Sequence, residues 1–125
     1  MSSERILIVD DEEMIRDLCS HILTAEGYEA ISVNESSKAI QMAKYTNPDL
    51  FLLDLMMPDP DGFKLCRILR SDSHFKHTPI LIVTALDDTD SKIVAFGAGA
   101  NDYITKPYHI EEITDRIKEL LEDAE

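Results

Sequence analysis

The sequence has little positive charge. Its 125 residues contain 12 Lys+Arg against 25 Asp+Glu, which gives a formal net charge of −13 with histidines neutral. Because recognition of nucleic-acid phosphates needs a basic surface, this balance excludes direct nucleic-acid contact by the chain itself. The length is typical of one domain with its own hydrophobic core, so we expect residues 1–125 to form a single domain.

Long apolar runs and cysteine motifs are also absent. The longest apolar runs have four residues, as in 6–9, whereas a bilayer-spanning helix needs about 20. The N-terminus leads directly into this short run and not into the apolar stretch of a signal peptide. Cys19 and Cys66 lie in apolar helical patterns without metal-ligand spacing, which is typical of buried thiols in a reducing compartment. We therefore expect a cytoplasmic protein with no membrane partner.

Five short strand-like segments alternate with five helix-like ones. This alternation predicts a parallel sheet with helical crossovers. Three strands, 6–9, 50–53 and 80–83, are continuously apolar, as expected for strands buried on both faces. The other two, 29–33 and 102–105, mix polar and apolar residues, as expected at sheet edges. A flavodoxin-like, doubly wound α/β fold with strand order 2-1-3-4-5 satisfies both observations.

A period of 3.6 residues marks the helices. Weaker patterns cover 36–45, 62–70 and 89–98, and the two strongest define the first and fifth helices. The predicted buried stripes are Ile15, Leu18, Cys19 and Ile22 in the first helix and Ile110, Ile113, Ile117, Leu120 and Leu121 in the fifth. Both stripes predict amphipathic helices that cover the sheet.

Acidic residues follow two of the predicted central strands. Asp10 and Asp11 follow the first strand, and Asp54 follows the third. Because ligands bind beyond the carboxyl ends of strands where the strand order reverses, these three carboxylates should converge. One like-charged pair at about 4 Å costs on the order of 4 kcal/mol at an effective dielectric near 20, so a cation or a proton must intervene. Mg²⁺ is the expected cofactor, since it binds carboxylate and carbonyl oxygens and keeps much of its water.

Two further polar residues end the fourth and fifth strands, namely Thr84 and Lys106. A hydroxyl and an ammonium beside a cation form an anion site that can hold a phosphoryl group. Asp54 is the expected acceptor, because it is the lone acid at the end of a buried strand and aspartate is an established phosphoryl nucleophile.

These motifs resemble the receiver domains of response regulators in two-component signalling. The matching residues are Asp10-Asp11, the run 54–62, Thr84-Ala85 and the run 102–107, so the resemblance covers essentially the whole chain. It implies that Asp54 is the phosphoacceptor and that Thr84 and Lys106 contact the phosphoryl group. It also implies a cis peptide bond before Pro107.

For the metal, the resemblance implies that Asp11, Asp54 and the backbone carbonyl of Met56 bind Mg²⁺ directly, with Asp10 acting through water. For the switch, it implies that the Thr84 hydroxyl moves onto the phosphoryl group and that the ring of Tyr103 turns into the vacated space. The surface made by the fourth helix, fifth strand and fifth helix would then change for a downstream target.

Two apolar side chains are predicted to control how long the phosphoryl group persists. Met56 and Leu86 stand two residues past the acceptor and two past the hydroxyl, the positions that flank the path of the attacking water in the family. Neither can orient a water by hydrogen bonding, so we expect slow self-dephosphorylation.

A weak homodimer that depends on phosphorylation is a further expectation. Charged residues at positions matching family members that dimerise are Lys92, Asp102, Glu112, Arg116 and Lys118. Gly97 replaces an acid expected to face Lys118, which should weaken such a dimer.

The expected function is a switch, not an enzyme, that accepts a phosphoryl group from a histidine kinase or phosphotransfer protein. Its target would be an effector protein or a covalently linked output domain. A docking module with a vestigial site is one alternative. A second is an Mg²⁺-dependent aspartyl phosphatase, which is disfavoured because dehalogenase-like phosphatases carry a second acid two residues after the nucleophile, where this chain has Met56.

Overall fold

The computed structural model describes residues 3–124, and within them five strands alternate with five helices. The predicted domain also includes Met1, Ser2 and Glu125, which lie outside the described residues. In chain order, the elements are β1 (Arg5–Val9), α1 (Glu13–Ala25), β2 (Glu29–Val33), α2 (Ser36–Thr46), β3 (Leu50–Leu53), α3 (Gly62–Ser71), β4 (Ile80–Thr84), α4 (Thr89–Gly97), β5 (Asp102–Thr105) and α5 (Ile110–Asp123).

The strands form a parallel sheet in the order β2-β1-β3-β4-β5, which confirms the predicted fold class and strand order. The central strands β3 and β4 are buried at every residue, and β1 is buried after its first residue. In the edge strands only Val33 and Ile104 are buried. Continuous apolar runs therefore occupy the centre of the sheet because only there do helices cover both faces.

The core has two layers, one on each face of the sheet. Leu7 and Phe51 belong to the layer beneath α2, α3 and α4, whereas Ile6 and Leu50 belong to the layer beneath α1 and α5. This division follows from the strand period of two, which sends successive side chains to opposite faces. Both cysteines are buried in these layers, as predicted.

The predicted helical stripes need two corrections. Leu18 of α1 is 45% exposed, and Leu23, which the predicted stripe omits, is fully buried. The reason is rotation about the helix axis: Leu18 lies about 100° from Cys19, at the margin of the face that packs on the sheet. Ile110 is 52% exposed because it begins α5, ahead of the turns that pack on the sheet. None of the helices formed by residues 3–124 is long and apolar enough to cross a membrane.

Candidate functional site

Three side chains from distant parts of the chain meet at the carboxyl edge of the sheet. Asp10 follows β1, Asp54 follows β3, and both carboxylates are buried, with residue exposures of 3% and 4%. Lys106 follows β5, and its Nζ donates to Asp10 Oδ2 at 3.1 Å and to Asp54 Oδ2 at 3.0 Å. One ammonium thus bridges two buried carboxylates, and of the three carboxylates predicted to converge, those of Asp10 and Asp54 do so.

The environment of each group shifts its pKa. Burial raises the pKa of Asp10, and the Glu12 N–H and the Lys106 ammonium only partly offset this effect. Burial acts on Asp54 as well, but hydrogen bonds from the Met56 N–H, Lys106 and Thr84 outweigh it, so the pKa of Asp54 lies below its usual value. Burial lowers the pKa of Lys106, but the Asp54 and Asp10 carboxylates more than compensate and leave it raised. Asp54 is therefore an ionised carboxylate beside a charged ammonium at neutral pH.

Glu12 places a carboxylate in the candidate site, and the sequence analysis did not name it. Carboxylate oxygens of Asp10, Glu12 and Asp54 all lie within 4.8 Å of one another. The Glu12 N–H donates to Asp10 Oδ1 at 2.9 Å, and its side chain makes no capping hydrogen bond at the start of α1. Glu12 and Asp11 are both exposed, but Asp11, the expected direct metal ligand, is not part of this group. The four consecutive acids at 10–13 indicate that carboxylates lie near this edge of the sheet, but they do not indicate which of the four face the site.

The clustered carboxylates fit a hard divalent cation. Such ions take oxygen ligands, and Mg²⁺ in particular binds through one or two carboxylates while retaining water. Lys106 supplies one positive charge to a group with three carboxylates, so the group keeps an excess of negative charge. The donor set present in this chain therefore suits Mg²⁺.

The loop after β3 is held close to the acceptor by its backbone. The Met56 N–H donates to Asp54 Oδ1 at 2.9 Å, and the Gly62 N–H donates to the Leu55 carbonyl at 3.1 Å. A Cβ at Gly62 would collide with backbone atoms of Asp54 and Leu55, so this position requires glycine. The side chain of Met56 is 54% exposed at the mouth of the site.

Leu86 links the two predicted switch residues. Thr84 is fully buried at the end of β4, and the Leu86 N–H lies 3.5 Å from its Oγ1. The Tyr103 hydroxyl donates to the Leu86 carbonyl at 2.5 Å, and Lys92 Nζ stands 5.9 Å from the centre of the Tyr103 ring. Burial raises the pKa of Tyr103 to about 12, so its hydroxyl is a hydrogen-bond donor at neutral pH.

The surface of α4, β5 and α5 combines charge with exposed apolar side chains. Arg116 donates to Asp102 at 2.9 Å within the same chain, so these two predicted dimer residues already form an ion pair. The exposed apolar side chains of α4 are Ile93, Val94 and Phe96.

Two peptide bonds that precede proline are cis. The Lys106–Pro107 bond was predicted to be cis, whereas the Asp59–Pro60 bond was not considered in the sequence analysis.

Comparison with known proteins agrees with this geometry. The family model described as the response regulator receiver domain matches residues 6–118. The chain belongs to the response regulator receiver family. Receiver domains are generally non-enzymatic signalling modules of two-component systems that interact with histidine kinases and with output effector domains.

Relatives and solved structures match almost all of this receiver domain. It is 43% identical over 117 residues to the DNA-binding dual master transcriptional regulator RpaA of Synechocystis. The aligned residues make up 94% of this chain and 48% of RpaA. A CheY-like receiver domain protein from Methanospirillum hungatei has a TM-score of 0.92 at 29% identity, covering 98% of this chain and 97% of that one. Vibrio cholerae CheY4 has a TM-score of 0.91 at 28% identity, covering 95% and 99%. The chain spans about half the length of the first curated relatives it matches.

Proposed function

We propose that this receiver domain is a switch that accepts a phosphoryl group on Asp54 from a histidine kinase or phosphotransfer protein. The observation that carries the proposal is the environment of the Asp54 carboxylate. It is buried yet ionised, it lies 3.0 Å from the Lys106 ammonium, and it adjoins the carboxylates of Asp10 and Glu12.

The transfer exchanges one bond to phosphorus for another. An Asp54 oxygen attacks the phosphorus of a phosphohistidine, an O–P bond forms, and the P–N bond breaks with its electron pair returning to the imidazole. Lys106 then offers its ammonium to the phosphoryl oxygens, and Thr84 offers its hydroxyl. Burial excludes bulk water from these contacts, which strengthens them.

The proposed cation ligands are carboxylates and one backbone carbonyl. Asp10, Asp11, Asp54 and the carbonyl of Met56 would hold Mg²⁺, and Glu12 joins them on the evidence of its position. When bound, the ion supplies positive charge to the acceptor carboxylate and to the phosphoryl oxygens. Asp11→Ala tests the assignment of Asp11, because its loss should weaken Mg²⁺ binding in calorimetry more than Asp10→Ala does.

The acceptor is tested by intact mass after incubation with acetyl phosphate and Mg²⁺. The parent should gain one phosphoryl group, and Asp54→Asn should gain none. Asp59→Asn is the matched control, because Asp59 is an exposed acid in the same loop. Uptake by Asp54→Asn equal to that of the parent would refute the assignment. A parent that takes up no phosphate from acetyl phosphate or a kinase would favour a docking module, and turnover of a generic phosphoester would favour a phosphatase.

For the switch, we propose that the phosphoryl group draws in the Thr84 hydroxyl and that Tyr103 transmits this movement to the surface of α4, β5 and α5. The support is the contact of Leu86 with both residues. The output would be an effector or a covalently linked domain, and a weak homodimer would form on the same surface. Sedimentation before and after phosphorylation tests the dimer, since a tight dimer of the unphosphorylated chain would contradict it.

A long-lived phosphoryl group is also part of this proposal. Met56 is exposed at the mouth of the site and Leu86 is half-buried, and neither side chain can orient a water. The double variant Met56→Asn with Leu86→Glu should lose phosphate at least about tenfold faster, equivalent to roughly 1.4 kcal/mol of barrier. Phosphate release after removal of the donor measures this rate. Equal rates for the parent and the double variant would show that other groups control the lifetime.

The acidic surface also supports a division of labour between this domain and its output. With a net charge of −13, the receiver is proposed to act in the cytoplasm without touching nucleic acid or membrane itself. RpaA is DNA-binding by name and about twice as long, so DNA contact in such a protein can belong to its remaining half.

A further inference from the structure

The acceptor loop, defined here as residues 55–61, joins β3 to α3 and is fixed at both ends. Met56 is tied to the Asp54 carboxylate near the start, and Asp61 accepts a hydrogen bond from the Lys64 N–H as α3 begins. Between these points lie Pro58, Asp59 and Pro60. Since proline has no N–H, the middle of the loop has few backbone donors with which to hold itself in place.

Ser36 provides a hydrogen bond to this middle segment. It is the first residue of α2 and is only 3% exposed. Its hydroxyl donates to the carbonyl of Pro60 and also lies 3.4 Å from the carbonyl of Pro58. The exposed Lys64–Asp59 ion pair at 3.7 Å adds little, because such surface pairs contribute at most about 1 kcal/mol.

The helix that carries Ser36 is anchored in the core. Farther along α2, Ala39 and Ala43 are fully buried against the sheet, so the helix start cannot shift freely. The next residue, Ser37, is exposed, and its hydroxyl bonds instead to the Glu35 carboxylate at 3.2 Å. Two consecutive serines therefore differ in their contacts: the Ser36 hydroxyl joins α2 to the acceptor loop, and the Ser37 hydroxyl remains at the surface.

We propose that Ser36 is a positioning residue for the cation site, a proposal that rests on the proposed function. Its hydroxyl holds the middle of the acceptor loop, whose start is tied to Asp54 by the Met56 N–H and whose Met56 carbonyl is the proposed cation ligand. Without that bond the loop samples other conformations, and the apparent affinity for the cation falls with the population of the competent one. Saturating cation should restore the competent loop, so the maximal phosphorylation rate should change little.

The test compares Ser36→Ala with Ser37→Ala in the full chain. Phosphorylation by acetyl phosphate is followed over a range of Mg²⁺ concentrations, and Mg²⁺ binding is measured separately by calorimetry. Ser36→Ala should raise both the half-maximal Mg²⁺ concentration and the Kd about fivefold, which is below the roughly 10–100-fold typical of partners that bond directly to metal ligands. Its rate at saturating Mg²⁺ should stay within about twofold of the parent, and Ser37→Ala should match the parent in every measurement.

Urea unfolding of the same proteins separates positioning from stability. If Ser36→Ala loses stability but keeps the Mg²⁺ constants of Ser37→Ala, Ser36 is only a structural residue and the inference is wrong. An equal loss of rate at low and saturating Mg²⁺ would also overturn it. A parent that binds Mg²⁺ but is not phosphorylated on Asp54 contradicts the proposed function alone, because calorimetry still tests Ser36.

Discussion

Replacing Lys106 by methionine removes the only ammonium that contacts the two buried carboxylates among the described residues. Lys106 Nζ lies 3.1 Å from Asp10 and 3.0 Å from Asp54, and the side chains are 15% exposed for the lysine and 5% for each acid. At an effective dielectric near 20, each pair attracts by roughly 5 kcal/mol before desolvation is subtracted. Breaking a buried pair typically costs about 3–5 kcal/mol, because the remaining charges stay buried without a partner. We expect Lys106→Met to lower the free energy of unfolding by about 3 kcal/mol at pH 7.

The pH dependence gives this prediction a second test. The lowered pKa of Asp54 contributes stability above the unfolded value of 3.8, and this contribution is lost as pH falls through the folded pKa. The raised pKa of Lys106 contributes stability below its unfolded value of 10.5. The pKa of Asp10 is already raised by burial, and loss of the ammonium removes a lowering influence on both carboxylates. The deficit of the variant should therefore be largest at neutral pH, and as the solution is acidified it should begin to shrink above pH 3.8, because buried carboxylates with raised folded pKa values take up protons there.

The assay is urea unfolding followed by circular dichroism at several pH values. Lys118→Met is the control, because Lys118 is an exposed lysine of α5 and such substitutions usually change stability by less than about 0.5 kcal/mol. Adding Mg²⁺ should recover part of the loss in Lys106→Met, because a cation can replace the missing positive charge. A loss no larger than that of Lys118→Met would show that the bridging ammonium does not stabilise the fold.

Three further predictions concern the site and its supports. Glu12→Gln should weaken Mg²⁺ binding about fivefold in calorimetry while Glu13→Gln does not, since only Glu12 belongs to the carboxylate cluster; equal effects would remove Glu12 from the site. Gly62→Ala should destabilise the protein by about 3 kcal/mol in thermal melts, because the added Cβ meets backbone and not a movable side chain; an unchanged melt would contradict the close approach. Arg70→Met should cost about 3 kcal/mol in urea, because its half-buried guanidinium bridges several backbone carbonyls; the exposed Arg67→Met is its control and should be nearly neutral.

Much of the fold was predictable because burial leaves a direct trace in the sequence. Strands covered on both faces must be apolar at every position, so β3 and β4 are recognisable as central and β2 as an edge. The meeting of Asp10, Asp54 and Lys106 followed from the same reasoning, since parallel strands end at one edge of the sheet. Strand order and these three site residues were thus determined by the sequence alone.

Contacts that depend on the rotation of a helix or the path of a loop were decided only by the tertiary structure. The sequence shows four consecutive acids from position 10, but only the structure shows that the exposed Glu12, and not the equally exposed Asp11, brings a carboxylate oxygen within 4.8 Å of those of Asp10 and Asp54. The rotation of α1 about its own axis buries Leu23 and exposes Leu18. Ser36 and Ser37 are identical in sequence terms, and only the approach of the acceptor loop gives Ser36 the Pro60 carbonyl as a partner, whereas Ser37 bonds to the neighbouring Glu35. Period and composition identify which residues face the core, whereas the choice between neighbours about 100° apart on a helix requires the packed neighbour itself.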